Sequence, residues 1–342
     1  MNSRVSVIMP AYNAEKYIRD AVQSVLAQSF RDWQLFIVND ASTDGTGKIL
    51  AEFSGESRIK IINNTQNLGS VVSRNVAFAQ IQSQYVAILD ADDLAEQTRF
   101  EEQVQFLDAH PDFGLVGSWT KIIDESGRAT GQIGRDTTPA EKAPIKLLFH
   151  NFLAFSSVMM RRTAMPEIPF TENSVPAEDV DLYWKMIHQW KFATLPKVLI
   201  SYRSHPKGIS KVYAAKKQEV MDRLIRAELN RFGIEPTAEE LQIHRTNYGY
   251  AGADIEQFLS KREQWLLKLI EKNREAKIHP EKIFSEVVAE KWLESCDANA
   301  RLGFKTWKIF QLSPLSQKIS WLKNGKMLSK FCVKCLLSKD TI

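Results

Sequence analysis

Three carboxylates directly follow an apolar run of the sequence. Asp90, Asp92 and Asp93 come immediately after Tyr85–Leu89. Like charges this close repel one another, so a bound cation is the natural way to keep them ionised. Carboxylate oxygens suit Mg²⁺ or Mn²⁺, especially where phosphates complete the coordination shell. We therefore interpret the cluster as a divalent-metal site, and the alternative is an acidic first turn of a helix.

Two other polar segments also follow apolar runs. Asn39-Asp40 ends the run Trp33–Val38, and Asp40 could accept hydrogen bonds from a nucleobase or a ribose. Pro10-Ala11-Tyr12 follows a β-branched run, and the Tyr12 ring could stack on a nucleobase. Taken alone, the first segment is more typical of an ordinary loop and the second of packing, so their meaning depends on what the fold brings together.

The first hundred residues alternate between strand and helix patterns. Short strands that are apolar on both faces and are spaced by helices indicate a parallel sheet covered on both sides. Ligands of such sheets bind beyond the carboxyl ends of the strands, so the polar segments should line one crevice. The predicted strands are Arg4–Met9, Trp33–Val38, Ile59–Ile62 and Tyr85–Leu89, and the predicted helices are Glu15–Gln28, Asp44–Phe53 and Ser70–Ala79.

The middle of the chain is less regular. Its Gly/Thr-rich segment Gly127–Pro139 predicts a loop, and Glu178-Asp179 stand at the start of a helix that reaches Trp190. Apolar runs predict strands at Phe113–Ile123, Ser156–Met160 and Val198–Tyr202.

Beyond residue 214 the pattern becomes helical only, so we predict an α/β domain over residues 1–214 and a helical region over residues 215–342. Thr237 with Glu240 is a capping-box signature. Ser313-Pro314 predicts a helix start, and Asn324-Gly325 predicts an interruption of that helix. The other helices predicted here are Lys216–Phe232, Asp254–Ile270 and Pro280–Leu293.

Together these motifs resemble the family 2 glycosyltransferases. The resemblance runs from about Val5 to Ser210, about three fifths of the chain. It implies a glycosyltransferase-A fold, which is Rossmann-like with a mostly parallel sheet flanked by helices; the all-helical C-terminal region lies beyond it. The motifs that carry it are Val-Ser-Val-Ile-Met-Pro-Ala-Tyr-Asn, Val-Asn-Asp-Ala-Ser-Thr-Asp-Gly-Thr, Asn67-Leu68-Gly69 with Arg74-Asn75, Asp90-Ala91-Asp92-Asp93, Glu178-Asp179 and Tyr202-Arg203-Ser204-His205.

The resemblance implies a role for each matching residue of the donor side. Asp92 would bind a divalent metal, Mn²⁺ or Mg²⁺, that bridges the diphosphate of a nucleotide sugar, and Asp90 would lie nearer the ribose. Asp93 is a second candidate for the metal. The nucleotide side would be completed by Pro10, Ala11 and Tyr12 around the nucleobase, Asp40 at the base or ribose, and Arg74 near the nucleotide.

The same resemblance makes Asp179 the general base, with Glu178 beside it. Arg203 and His205 would approach the diphosphate or the metal once the following loop closes. The chemistry fits, because the leaving diphosphate gains negative charge while the acceptor hydroxyl must lose a proton on the opposite face. In-line attack of this kind inverts the anomeric centre. The alternative for the acidic pair is simply an acid-rich helix N-terminus.

One position departs from the family's pattern. The family often has two acids after the second strand, where this chain has Asn39-Asp40. The retained Asp40 supports nucleotide binding, and Asn39 could alter the preference for base or sugar. The sugar, the acceptor and the linkage depend on loops such as Gly127–Pro139 and Phe152–Ser157.

Charge is distributed unevenly along the chain. The net charge is +4, too mild to indicate a nucleic-acid partner. Residues 303–342 hold eight lysines and one acid, whereas the remaining residues hold 37 basic and 40 acidic side chains. The tail also has many Trp, Phe and Leu residues, which is typical of a basic amphipathic helix on an anionic membrane. The alternative is a helix packed on the rest of the protein with solvated lysines.

Cysteine usage and hydropathy restrict the location. The three cysteines all lie beyond residue 295, which fits a reducing compartment. The Cys332-Val-Lys-Cys335 pair lacks the further ligands that a zinc site needs. We find no signal peptide and no apolar stretch long enough to span a membrane. We expect a cytoplasmic protein that is peripheral on the cytoplasmic face of the membrane.

The resemblance therefore implies an inverting, metal-dependent glycosyltransferase that uses a UDP-sugar and a saccharide or lipid-linked saccharide acceptor in surface polysaccharide assembly. A nucleotidyltransferase and an inactive nucleotide-sugar-binding scaffold are the alternatives. A dinucleotide oxidoreductase is disfavoured, because no G-x-G-x-x-G follows the first strand.

Overall fold

The computed structural model describes residues 3–205, 213–249, 254–319 and 321–338. The chain divides into two compact units. The α/β unit comprises Met1–Pro144 with Asn151–Met221, and the helical unit comprises Ile145–His150 with Asp222–Ile342. The boundary expected near residue 214 lies close to this division, but the transfer of residues 145–150 to the helical unit has no counterpart in the sequence pattern.

The α/β unit is built on a nine-stranded sheet. Its first four long strands, β1 to β4, are parallel and lie side by side in the order β3-β2-β1-β4. The apolar residues of β1, β2 and β4 are almost all buried, which is why these strands are apolar on both faces, whereas Ile61 and Ile62 of β3 are half-buried. Their bounds are Val5–Ala11 (β1), Trp33–Asn39 (β2), Ile59–Asn63 (β3) and Tyr85–Ile88 (β4).

The other half of the sheet is mixed. The strand β8 runs antiparallel between β4 and β6, and β6 runs parallel to β9, which in turn pairs with β5. Helices accompany both halves. The bounds are Leu94–Ala95 (β5), Phe113–Ile123 (β6), Ala129–Gly134 (β7), Met159–Arg161 (β8) and Lys191–Arg203 (β9), with helices Ile18–Leu26 (α1), Thr46–Ala51 (α2), Ser70–Phe78 (α3), Arg99–Ala109 (α4), Ala143–Phe149 (α5) and Glu178–Ile187 (α6).

The prediction of a continuous loop over Gly127–Pro139 is wrong. Residues Ala129–Gly134 form β7, an edge strand that pairs antiparallel with β6. All six of its residues are exposed, so the segment carries no apolar alternation that could reveal a strand. Gly127 forms the turn with φ +84°, a backbone conformation that favours glycine.

The helical unit has its own apolar core. Trp292, Phe284 and Leu266 are buried there. The predicted capping box is confirmed, because the Glu240 N–H donates to Thr237 Oγ1 at 3.1 Å and the Thr237 N–H donates to Glu240 Oε2 at 2.9 Å. The remaining helices are Ala214–Arg231 (α7), Ala238–Arg245 (α8), Ile255–Ala276 (α9), Glu281–Ala298 (α10), Phe304–Leu312 (α11) and Trp321–Leu337 (α12).

The predicted interruption at Asn324-Gly325 is also wrong, because α12 continues through both residues. The helix is held by tertiary packing: Leu328 and Phe331 are buried, and the Phe331 ring contacts Phe310 of α11 at 5.2 Å between centroids. Packing of this kind outweighs the roughly 1 kcal/mol that a glycine costs in a helix. None of the helices in the described ranges is both long and apolar enough to cross a membrane.

Candidate active site

The acidic cluster lies beyond the end of β4, as expected. The Asp90 N–H donates to Ser156 Oγ at 3.1 Å, which ties the start of the cluster to the segment before β8. About one third of the Asp90 side chain is exposed, and burial raises the pKa of its carboxyl against the lowering effect of Arg74. Asp90 is thus accessible to a ligand while one of its oxygens is already paired.

Asp92 pairs with His205. The Asp92 Oδ2 and His205 Nε2 atoms are 2.9 Å apart, and the His205 ring lies 5.4 Å from the Tyr17 ring. The two residues are 113 positions apart in the sequence, so only tertiary folding brings them together. The loop whose closure the resemblance implies, residues 206–212, lies outside the described residues.

The Arg203 side chain binds backbone carbonyl groups. It is buried, and its guanidinium donates to the carbonyl oxygens of Asp92, Asp124 and Glu125 at 2.8, 3.2 and 3.1 Å. It also lies over the Tyr17 ring, 4.8 Å from its centroid. These contacts use Arg203 to hold the segment that carries Asp92.

Asp93 is buried behind the accessible acids. Its Oδ1 accepts the Arg203 N–H at 2.7 Å, whereas its Oδ2 is buried with no hydrogen-bond partner among the described residues. Burial raises the pKa of the Asp93 carboxyl well above its ordinary value, and Asp92 and Asp90 add to this rise.

Arg74 joins the acidic cluster after β4 to α6. Its guanidinium donates to Asp90 Oδ1 at 2.7 Å and to Glu178 Oε1 at 2.8 Å, and it lies over the Phe155 ring at 4.9 Å. Arg74 and Glu178 are both nearly buried. Ser70 also donates to Glu178 Oε1, at 3.2 Å. One buried cation therefore serves two carboxylates from distant parts of the sequence.

Asp40 shapes the loop that precedes α3. Its carboxylate accepts the Leu68 and Gly69 N–H groups at 2.9 and 2.8 Å and the Asn64 side-chain amide at 2.7 Å. Gly69 has φ +85°, so glycine suits this turn. Asp40 thus fixes the Asn67-Leu68-Gly69 motif and links the ends of β2 and β3.

The segment after β1 remains open to solvent at its tip. Tyr12 is 50% exposed, Pro10 is partly buried and Ala11 is buried. Asn13, which sequence reasoning did not single out, has φ 49° and joins this tip to the loop after β2. Its Oδ1 accepts the Thr43 N–H at 2.9 Å, and its N–H donates to Ser42 Oγ at 3.0 Å. The exposed Tyr12 ring is available for stacking.

Asp179 lies in the first turn of α6. Its Oδ2 accepts the side-chain amide of Asn151 at 2.8 Å, a contact that no sequence motif indicated. Burial raises the pKa of the Asp179 carboxyl to about 6, and the neighbouring Glu178 charge contributes. A carboxylate with this pKa is suited to accept a proton near neutral pH.

Within the described residues, no three His, Cys, Asp or Glu side chains converge in a metal-ligating arrangement. The Asp92–His205 pair still fits a hard divalent ion, because such ions commonly bind through one or two carboxylates and complete their shell with substrate phosphates and water. Asp90 and Asp93 contribute less, since one is paired with Arg74 and the other is buried.

Comparison with known proteins decides the family. The sequence matches the model described as Glycosyl transferase family 2 over residues 6–168. An uncharacterized glycosyltransferase of Haemophilus influenzae is 31% identical over 245 residues, which cover 68% of this chain and 76% of the relative. The chain belongs to the family 2 glycosyltransferases. The resemblance inferred from the motifs is confirmed, and a glycosyltransferase is favoured over the alternative enzyme classes.

Two further proteins extend the comparison. The E. coli UDP-Glc:alpha-D-GlcNAc-diphosphoundecaprenol beta-1,3-glucosyltransferase WfgD is 31% identical over 183 residues, 54% of this chain and 69% of the relative. The structure of S. aureus TarS residues 1–349 in complex with UDP matches with a TM-score of 0.54 and 19% identity, over 95% of this chain and 92% of that chain. The glycosyltransferase-A type of fold, with a helical C-terminal region, is confirmed.

Proposed function

We propose that this glycosyltransferase is inverting and metal-dependent, and that it moves a sugar from a UDP-sugar to a saccharide acceptor in surface polysaccharide assembly. The observation that carries the proposal is the Asp90–Arg74–Glu178 network, which leads from the donor acids to the turn that holds Asp179. The UDP-dependent reaction in the name of WfgD and the UDP bound to TarS support the choice of nucleotide.

The reaction divides between two sides of the site. Asp179 accepts the proton of the acceptor hydroxyl, whose oxygen forms a bond to the anomeric carbon as the bond from that carbon to the diphosphate oxygen breaks. The nucleoside diphosphate leaves with the electron pair. Tyr12 stacks on the base, and the Asp40-bound loop and Arg74 hold the nucleotide side in place. A divalent ion held by Asp92 and His205 would stabilise the charge on the leaving diphosphate.

A donor screen tests this proposal. Purified protein is incubated with UDP-, GDP- and dTDP-sugars, and released nucleoside diphosphate is measured with Mn²⁺, with Mg²⁺ and with EDTA. We expect release from a UDP-sugar that depends on the added metal. Equal release with EDTA would contradict the metal requirement, and absence of release or binding with every donor would contradict the proposed transfer.

We further propose that the helical unit attaches the enzyme to an anionic membrane that carries a lipid-linked acceptor. WfgD, whose named substrate is a diphosphoundecaprenol-linked sugar, supports such an acceptor. Phe304, Leu312, Leu336 and Leu337 are each at least 60% exposed. Lys308, Lys326 and Lys330 are exposed beside them and have no ion pair among the described residues.

Other apolar residues of the tail pack in the core of the helical unit. Phe310, Leu315, Ile319, Leu328 and Phe331 are buried in the helical unit. The side chains of Trp321, Leu322 and Lys323, together with Lys339 and Asp340, lie outside the described residues. Deleting residues 303–342 would therefore remove core side chains, so surface substitutions give the sharper experiment.

Liposome sedimentation tests the attachment. Replacing Phe304, Leu312, Leu336 and Leu337 together by Ser should abolish binding to phosphatidylglycerol vesicles, and salt should weaken binding of the parent. The control is Ile168→Ser in the α/β unit, because Ile168 is 69% exposed and apolar. Unchanged binding of the quadruple variant would overturn the proposal.

A further inference from the structure

A polar pocket of about 250 Å³ lies within the α/β unit. Strand β6 contributes Ser118 and Thr120, the end of β7 leads to Arg135 and Asp136, and the segment before β8 contributes Asn151. The two loops on which acceptor choice should depend, Gly127–Pro139 and Phe152–Ser157, both contribute lining residues. The described residues that hold the donor side, from Tyr12 to His205, do not line it.

Asn151 connects this pocket to Asp179. Its Oδ1 accepts the Leu153 N–H at 3.0 Å, so its amide nitrogen is the atom that donates to Asp179 Oδ2 at 2.8 Å. With the amide fixed in this way, one oxygen of the Asp179 carboxylate is occupied. No other side chain among the described residues donates to this carboxylate, although the Val180 N–H acts on it.

The lining groups are those that bind carbohydrate. Hydroxyl, carboxylate, amide and guanidinium groups match the donor and acceptor groups of a sugar, and Phe152 supplies an apolar surface. The Arg135 guanidinium lies 5.5 Å from the Trp119 ring centroid, and Trp119 Nε1 donates to the Asp136 carbonyl at 3.1 Å. These contacts preorganise the wall formed after β7.

We propose that this pocket binds the sugar ring of the acceptor, and that Asn151 is a positioning residue that aims Asp179 at the acceptor hydroxyl. The inference rests on the proposed glycosyl transfer and specifies where its acceptor binds. It assigns Arg135 to acceptor recognition and leaves donor binding to the residues around Asp90.

The electrostatic surroundings of Asp179 make the role of Asn151 measurable. The charge of Glu178 raises the pKa of Asp179, whereas those of Lys217 and Arg74 lower it. The hydroxyls of Tyr183 and Tyr202 also lie close enough to respond to the Asp179 charge. Asn151 is a neutral donor to the carboxylate, so its removal should raise the pKa of Asp179.

The first experiment separates acceptor binding from donor binding. Nucleotide release from the donor found in the screen is measured with and without methyl glucoside or methyl N-acetylglucosaminide. In Arg135→Ala the KM for the glycoside should rise about 10-fold, and the KM for the nucleotide-sugar donor should rise far less. Arg128→Ala is the matched control, because Arg128 lies in the same hairpin and its side chain is 83% exposed. Release that no glycoside accelerates, or an equal KM in both variants, would overturn the assignment.

The second experiment follows the Asp179 carboxyl by ¹³C NMR titration, with Asp179→Asn identifying its signal. Asn151→Asp keeps an acceptor for the Leu153 N–H but replaces the amide donor by a carboxylate, so the Asp179 pKa should rise by about one unit or more. Asn151→Leu should raise it less. Gln189→Glu, which adds the same charge just beyond the other end of α6, should leave it unchanged.

The results separate the positioning role of Asn151 from the general-base role of Asp179. An Asp179 titration that Asn151→Asp and Asn151→Leu leave unchanged would overturn the role of Asn151 alone. Full transfer activity in Asp179→Asn would instead contradict the general base of the proposed function.

Discussion

The donor side and the acceptor side of the proposed site hold their carboxylates with different kinds of partner. On the donor side, Arg74 pairs with Asp90 and Glu178, so charge is balanced by charge before any ligand binds. On the acceptor side, Asp179 is held by the neutral amide of Asn151. Burial raises the pKa of both Asp90 and Asp179, but Arg74 opposes the rise at Asp90 through a direct ion pair, whereas the pKa of Asp179 reaches about 6 and a general base needs such a raised pKa. The comparison teaches that the acids of the donor side need a charged partner, whereas a general base needs a neutral one.

The largest effect should come from the base itself. Asp179→Asn should lower the rate of transfer by about 10²- to 10⁴-fold, because no group would accept the acceptor proton. Its affinity for UDP should stay within about threefold of the parent, since its place is on the acceptor side. Steady-state kinetics and calorimetric titration with UDP measure the two quantities. A large loss of UDP affinity would abolish the distinction between the two sides.

Breaking the donor-side network should mainly reduce stability. Arg74→Met leaves Glu178 and Asp90 without their shared cation, and the loss of one partner of a buried pair costs about 3–5 kcal/mol. Denaturant unfolding measures the change in the free energy of unfolding. Adding Glu178→Gln to Arg74→Met should recover part of the loss, because it removes an uncompensated charge. No recovery would mean that Arg74 acts through packing on Phe155.

Nucleobase stacking should have an intermediate effect. Tyr12→Ala should weaken UDP binding about 10-fold, since stacking of a base on an aromatic ring contributes about 1–3 kcal/mol. Tyr12→Phe is the matched control and should bind normally. The Asp179 titration should be the same in both variants, and a shift there would show that the two sides are coupled.

The smallest effect concerns pH and stability. The pKa of Asp179 is raised to about 6 in the folded protein, so ionisation of this group above pH 6 destabilises the fold, and the destabilisation is lost as the pH falls towards the unfolded-state pKa. Asp179→Asn should therefore raise the melting temperature more at pH 8 than at pH 5. The rate of transfer by the parent should fall as the pH drops below about 6. A stabilisation that does not depend on pH would contradict the raised pKa.

Local pattern was enough to predict the parallel half of the sheet. Strands such as β1 and β2 are buried on both faces, and their apolar runs and polar ends show this directly. The acidic cluster and the acidic start of α6 were visible for the same reason. The pattern could not show elements without apolar periodicity, such as the exposed β7. It also could not show that packing holds one helix together through Asn324-Gly325.

The sequence also could not predict contacts between residues that are far apart in the chain. Asn151 and Asp179 are 28 residues apart, and Arg74 and Glu178 are 104 residues apart. The Arg203 side chain donates to three carbonyl groups, and no sequence motif indicated these partners. Which donor meets which acceptor depends on tertiary packing, so neither a motif nor its spacing could supply these partners.

The exposed edge strand β7 has an evolutionary consequence. Every residue of β7 faces solvent, so substitutions and changes of length there disturb the apolar core little. The parallel strands that carry the donor residues have no such freedom, because almost every apolar side chain on them is packed. Residues around β7 can therefore change during evolution while those of the proposed donor side stay fixed. Under this condition one scaffold can diversify at its edge strand.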